Sequence, residues 1–163
     1  MEVDIYGYSS RSVPGLDIIG LGSRGKLIRE KINFITNRYV PKKKSLKKYV
    51  ISVEADYPEE KLKVNSNDLE FPILILYWAM AAIIPIKNLD RCWASGRVNV
   101  DFEVNSPLIE KVFALNHDFN WGQEKILICT EQSRSPEFGN ILVWEDLLTR
   151  VYKNNGQPSN DGG

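Results

Sequence analysis

The sequence predicts an α+β fold: one two-layer domain in which a mixed sheet carries packed helices. Three observations lead there. Apolar residues recur with a period of two in some segments and with helical spacing in others, and the two kinds interleave along the chain. Buried-type strands such as "KILICT" stand beside half-exposed ones such as "GRVNVDFEV". Nothing in the 163 residues repeats or marks a second domain, and this length is enough to bury a sizeable core.

The elements follow in order. "EVDIY" alternates, with Val3 and Ile5 on one face, and "GLDIIG" reads as a second, more buried strand. A helix is expected next, with Ser23 as its N-cap and Ile28, Ile32, Ile35 and Tyr39 along one face. The lysine-rich loop Pro41–Lys48 leads into "YVISVEA", where Tyr49, Ile51, Val53 and Ala55 share a face. After a polar connection, the apolar run Phe71–Ile86 reads as a core helix, with Pro72 in its first turn and Pro85 limiting its far end. "GRVNVDFEV" is the clearest strand, expected to point Val98, Val100, Phe102 and Val104 one way. "SPLIEKVFAL" starts a helix at Pro107, "KILICT" and "NILV" are strands, and "EDLLTRVYK" is a closing helix. Residues 1–153 form the domain, and 154–163 are expected to be a flexible polar tail.

The bulk chemistry excludes several functions. Twenty-one basic and 21 acidic residues balance, so no global field selects a polyanion or a polycation. Cys92, Cys129 and the lone His117 form no metal-ligand spacing, so neither a metal nor a disulfide framework is expected. Two isolated cysteines in apolar context fit a reducing compartment, and "MEVDIYGYSS" lacks the basic region of a signal peptide. The sixteen apolar residues from Phe71 to Ile86 fall short of the roughly 20 that span a bilayer. The expected location is cytoplasmic, with no membrane partner.

"LDIIGLGSRGKLI" is the motif that asks for a ligand. Gly20, Gly22 and Gly25 fit the dinucleotide fingerprint G-x-G-x-x-G, and Gly20 to Lys26 fits the phosphate-loop spacing G-x-x-x-x-G-K. Leu27 stands where a phosphate loop needs a hydroxyl for Mg²⁺, and no acid follows about 20 residues on to hold a ribose. The spacing therefore reads as a sharp strand-to-helix turn, with Gly20, Gly22, Gly25 and Lys26 kept as candidate nucleotide-binding residues; no cofactor is expected.

Five segments in order carry a family resemblance: "VDI…PGLDIIGLG…REKINF", "KKYVISVEADYP", "LEFPILILYWAMAA", "SGRVNVDFEVN" and "WEDLLTRVY". Across about residues 2–153 the chain resembles the N-terminal domain of ComM-type magnesium-chelatase-like proteins, relatives of the ChlI subunit. That family reads roughly "VEVDISxGLPxFxIVGLP", "KxITVNLAPADLPKEG", "FDLPIALxxLAA", "GELSLDGxLRPVxG" and "SLxEVVxFL". The resemblance implies a fold like the proteolytic domain of Lon and the second domain of a small-subunit ribosomal protein, with helices on one face of the sheet. It also implies an AAA+ ATPase module that follows this domain and works as a hexameric DNA motor in competence. This sequence departs from the pattern: an upstream strand is missing, "GLG" replaces "GLP", and "KLKVN" lengthens one connection. It holds no full Walker motif and stops where the ATPase would begin. The function expected is that of a non-catalytic accessory domain contacting an AAA+ partner, its own copies or DNA.

The Lon likeness also implies where a peptidase dyad would stand. Asp68 occupies the serine position ahead of the apolar helix, with Ser66 two residues earlier, and Lys111 falls near the dyad lysine. An Asp68–Lys111 pair lacks a nucleophile, and Lys111 beside Glu110 reads as a solvated helix residue. A Lon-like Ser–Lys peptidase using Ser66 is the alternative. Lys42, Lys43, Lys44, Lys47 and Lys48 form a candidate nucleic-acid patch, though without interleaved aromatics or a second basic surface. "ILVWED" imitates a Walker B strand but has no Walker A partner, and Trp78, Trp93, Trp121 and Trp144 are scattered as packing residues.

Overall fold

Alternation makes Asp4–Ser10 (β1) and Gly15–Ile19 (β2) strands, and both pair with Lys48–Glu54 (β3). β3 lies in the middle, antiparallel to β1 with Asp4 opposite Glu54 and parallel to β2 with Gly15 opposite Lys48. A computed structural model describes residues 3–40, 47–55, 66–107, 126–134 and 140–155. A parallel neighbour cannot be reached by a tight turn, so a helix makes the crossover from β2 to β3: Ser23–Tyr39 (α1). Its residues Ile28, Ile32 and Ile35 are buried, and Tyr39 packs at the edge of the core. Tyr49, Ile51 and Val53 of β3 are buried in the same cluster and Ala55 is partly buried, as the period-two pattern requires. The start of α1 differs from expectation. Its cap is Gly22, with no side-chain hydrogen bond, and Ser23 is already the first helical residue.

A 3-10 turn over Ser66–Leu69 leads into Glu70–Met80 (α2), which packs against β1 and β3. Phe71, Ile73, Leu74, Ile75 and Trp78 of α2 are buried. The indole N–H of Trp78 donates to Thr36 Oγ1 of α1 at 2.9 Å, which fixes the two helices against each other. α2 is shorter than the apolar run suggests. Ala82 takes a left-handed conformation (φ 57°), and the N–H groups of Ala81 and Ile83 return to the carbonyls of Tyr77 and Trp78. Pro85 cannot donate and biases Ile84 away from helix. The chain therefore turns early, and Ile84 is buried while Pro85 is exposed.

Cys92–Trp93 (β4) pairs in parallel with Ile126–Cys129 (β7), and β7 pairs in parallel with Ile141–Val143 (β8), giving a second three-stranded sheet. Trp144–Asn155 (α3) follows β8 directly, placing Trp144, Leu147 and Val151 in the core. The architecture is α+β, with its strands divided between two sheets and a hairpin. The segment expected to be the clearest strand is that hairpin. Arg97–Val98 (β5) pairs antiparallel with Val104–Asn105 (β6), joined through a turn. Asn99 N–H donates to Glu103 O, Phe102 N–H to Asn99 O, and Glu103 N–H to Asp101 Oδ1. The expected common face does not exist: Val98 is fully buried, whereas Val100 is 59% exposed at the turn.

Phe102 explains why the chain doubles back. It adopts φ 68°, a left-handed conformation that costs a side-chain-bearing residue about 1–2 kcal/mol. In that position its ring meets Tyr39, Trp78 and Trp144 at centroid distances of 5.1, 5.4 and 6.2 Å. Aromatic pairs of this kind contribute about 0.5–1.5 kcal/mol each beyond area burial, enough together to offset the backbone cost. The helix expected after Pro107, with His117 and Trp121, and the tail beyond Asn155 lie outside the described residues. Among the described residues no helix is long and apolar enough to cross a membrane.

Phe102→Ala and Phe102→Gly both remove the ring, but only alanine keeps the left-handed penalty. Phe102→Ala is expected to lose about 1 kcal/mol more stability in urea unfolding than Phe102→Gly. Equal losses would mean that the hairpin turn does not hold this residue at positive φ.

Candidate functional site

The glycine turn owes its spacing to packing. Gly20 leaves β2 at φ 103°, and a Cβ there would run into the carbonyl oxygen of Val53 on β3. Gly22 caps α1 at φ 57° and ψ −134°, a conformation open almost only to glycine. Gly25 presses α1 onto β2, with a Cβ position 3.2 Å from Ile18 O. The first amides of the helix are also committed. Arg24 N–H donates to Leu21 O and Gly25 N–H to Gly22 O, at 3.2 and 3.1 Å. A phosphate cradle needs such amides to point outward unpaired. Lys26 is exposed on the helix surface.

The N-terminal end of α2 is the other place where chemistry was sought. Asp68 is exposed, and its carboxylate lies 3.9 Å from the Arg97 guanidinium, a solvent-screened pair. Its carbonyl accepts Gly96 N–H at 2.8 Å, and Gly96 O accepts Phe71 N–H at 3.0 Å. The backbone of Ser66 begins the 3-10 turn; Lys111 lies outside the described residues, so both the Asp68–Lys111 and the Ser66–Lys111 pairings do too.

Glu70 is the residue that sequence reasoning passed over. Its side chain is 5% exposed, in the first turn of α2. One carboxylate oxygen accepts Lys31 Nζ at 2.6 Å and the other accepts Val98 N–H at 3.1 Å. A buried carboxylate survives only when both oxygens are answered, and here they are, at a helix end that also favours negative charge. The signal for it was an acid set directly against the most apolar run in the chain, "LEFPILIL". Beside it, Arg24 donates to Asn67 Oδ1 at 3.3 Å.

The structure describes two of the five lysines of the expected patch. Lys42, Lys43 and Lys44 lie outside the described residues. Lys47 is exposed just before β3. Lys48 begins β3 and places Nζ 2.8 Å from Asp17, which also lies 3.5 Å from Arg29. The hydrogen bond from Lys48, with Arg29 nearby, holds the Asp17 carboxyl below its ordinary range.

Neither cysteine is poised as a nucleophile. Burial, with Glu145 and Glu131 nearby, pushes the Cys129 thiol up to about 11, and burial raises Cys92 as well. Ser106, Thr130 and Ser133 bring three hydroxyls within 2.6–3.2 Å of one another, and Ser133 Oγ also donates to Ser106 O. This cluster closes on itself and ties the exit of β6 to the end of β7. Among the described residues, no group of His, Cys, Asp and Glu could hold a metal ion.

The chain matches no protein-family model and no curated protein.

Gly20→Ala is expected to destabilise the protein by on the order of 2–3 kcal/mol, because backbone rather than a flexible side chain blocks the new Cβ. Thermal-shift titration of the wild type with ATP, NAD and NADP should leave Tm unchanged; a rise with any of them would restore a ligand to this turn. Lys31→Ala should cost about 3 kcal/mol in urea unfolding, because it leaves the buried Glu70 carboxylate without its cation, and Glu70→Ala should cost about 2 kcal/mol, by stranding Val98 N–H while the partly solvated Lys31 returns to water.

Proposed function

We propose that this chain is a non-catalytic interaction domain of the kind that stands ahead of the AAA+ module in ComM-type magnesium-chelatase-like proteins. It docks against such an ATPase or against further copies of itself. The observation that carries the reading is the use made of the α2 N-terminus. Where a Lon-like peptidase would present its serine, this chain presents the exposed Asp68 carboxylate, and the backbone there is bonded to Gly96. The adjacent carboxylate of Glu70 is engaged by Lys31 and Val98. Asp68 contributes no hydroxyl nucleophile for a lysine to activate.

Two further features support it. The order β1, β2, α1, β3, α2, hairpin follows the order of the family's sequence blocks. With Gly96 set on the first glycine of "GELSLDGxLRP", Asp101 and Phe102 fall on its Asp-Gly. That dipeptide is a hairpin-turn signature, and Phe102 has the positive φ that glycine takes without strain.

The purified chain is expected to leave casein intact, with Ser66→Ala indistinguishable from the wild type. Cleavage abolished by Ser66→Ala would replace this reading with a Ser–Lys peptidase.

A further inference from the structure

Helix α1 turns one face to the core, and beside that face runs a stripe in which Arg24 and Lys31 reach Asn67 and Glu70 while Leu27 and Phe34 stay half in water. Arg24, Leu27, Lys31, Phe34 and Arg38 advance by three and four residues alternately, so they form one stripe down the helix. From Arg24 to Arg38 the stripe runs about 21 Å at the helical rise per residue. Two of its members are large apolar side chains left half in water: Leu27 is 54% exposed and Phe34 48%. The others are cations. Lys26 is exposed on another side of the helix, Arg29 pairs with Asp17, and Glu30 is the one acid of the helix. In a chain with no net charge, α1 therefore concentrates positive charge.

The cations of the stripe are not equally spent. Lys31 is bound to Glu70. Arg24 donates to the neutral Asn67, and Arg38 lies over the rings of Phe34 and Tyr39 at 6.0 and 5.6 Å. Among the described residues, no carboxylate pairs with Arg24, Lys26 or Arg38. Guanidinium groups at both ends of a helix face, with an exposed phenyl ring between them, match a ligand carrying regular negative charge and flat apolar faces. That is the chemistry of a single-stranded nucleic acid: phosphates for the arginines and a base for the ring. An acidic protein would meet the charges but has no particular use for an exposed ring stacked by arginine. A duplex would hide its base faces from Phe34.

We propose that this exposed stripe of α1 binds single-stranded nucleic acid, with Arg24 and Arg38 on the phosphates and Phe34 stacked on a base. The surface stands on the charge and exposure of α1 and does not depend on the domain's lineage.

The test is fluorescence anisotropy of the whole chain with labelled oligo-dT and oligo-rU of about 20 nucleotides and a duplex of equal length, between about 50 and 200 mM NaCl. Both single strands should bind more tightly than the duplex, and the affinity should fall with salt at a log–log slope of about −1.4, from about two phosphate contacts. The relative affinity for dT and rU reports whether DNA or RNA is preferred. Arg24→Gln with Arg38→Gln should weaken binding at least about tenfold and flatten the salt slope by about 1.4, to near zero. Phe34→Ala should weaken it roughly tenfold with the slope unchanged, because stacking releases no counterion. Arg24→Lys with Arg38→Lys should retain most of the affinity, and all three variants should keep the wild-type melting temperature. The proposal fails if the double Gln variant binds like the wild type, or if the duplex binds more tightly and ignores Phe34→Ala. It also fails if poly-glutamate or phosphatidylserine vesicles bind this face as well as oligo-dT does.

Discussion

The buried carboxylate of Glu70 is the constraint from which the rest of the arrangement follows. Moving a carboxylate out of water costs several kcal/mol, so its two oxygens dictate what must stand next to it. Lys31 brings α1, Val98 N–H brings the hairpin, and the first turn of α2 supplies a favourable dipole. Three elements distant in sequence are thereby held at one point. Gly96 lets the two arms of the hairpin close on each other: a Cβ there would sit 2.7 Å from Asn105 O. Its N–H and carbonyl then bond to Asp68 and Phe71 on either side of Glu70.

Once the hairpin is pinned to the start of α2, its turn lies over the aromatic centre of the molecule. Phe102 reaches Tyr39 of α1, Trp78 of α2 and Trp144 of α3, and Trp144 in turn meets Phe71 edge-on at 5.2 Å. The two central indoles differ in their polar ends. Trp78 N–H finds Thr36, whereas Trp144 Nε1 is buried with no partner among the described residues. An unanswered indole N–H costs about 1–3 kcal/mol, and it is tolerated because the Trp144 ring is held among Phe71, Trp78 and Phe102. Shape, more than hydrogen bonding, therefore joins α3 to the rest.

The legibility of this fold in its sequence divides along a physical line. The buried face of α1 and the inward face of β3 were readable because each depends on a local period of one residue type. The α2 terminus and the hairpin were not. Val98, Val100, Phe102 and Val104 alternate as a strand should, but the backbone turns at Phe102 because the aromatic cluster rewards its ring there, a tertiary effect that no alternation records. The apolar run to Ile86 hides the helix end, since Ala82 carries none of the usual marks of a left-handed stop. Glu70 escaped notice because its role depends on Lys31, 39 positions away. The cationic face of α1 was partly legible: the lysines beyond the helix drew attention, while Arg24, Phe34 and Arg38 needed the helix to align them.

The glycine turn shows why a phosphate-loop spacing is weak by itself. A strand that feeds a closely packed helix must leave its sheet without a side chain, cap the helix in an unusual conformation and press the first turn onto the strand. Gly20, Gly22 and Gly25 answer those three demands in that order. Nucleotide-binding turns meet the same demands, so the same spacing arises whether or not a ligand is bound. What separates the two cases is the fate of the first helical amides. Here Arg24 N–H and Gly25 N–H bond back to Leu21 and Gly22. The positive charge that a phosphate cradle would gather at this end of α1 is instead spread along the side of the helix, where Arg24 and Arg38 stand about four turns apart.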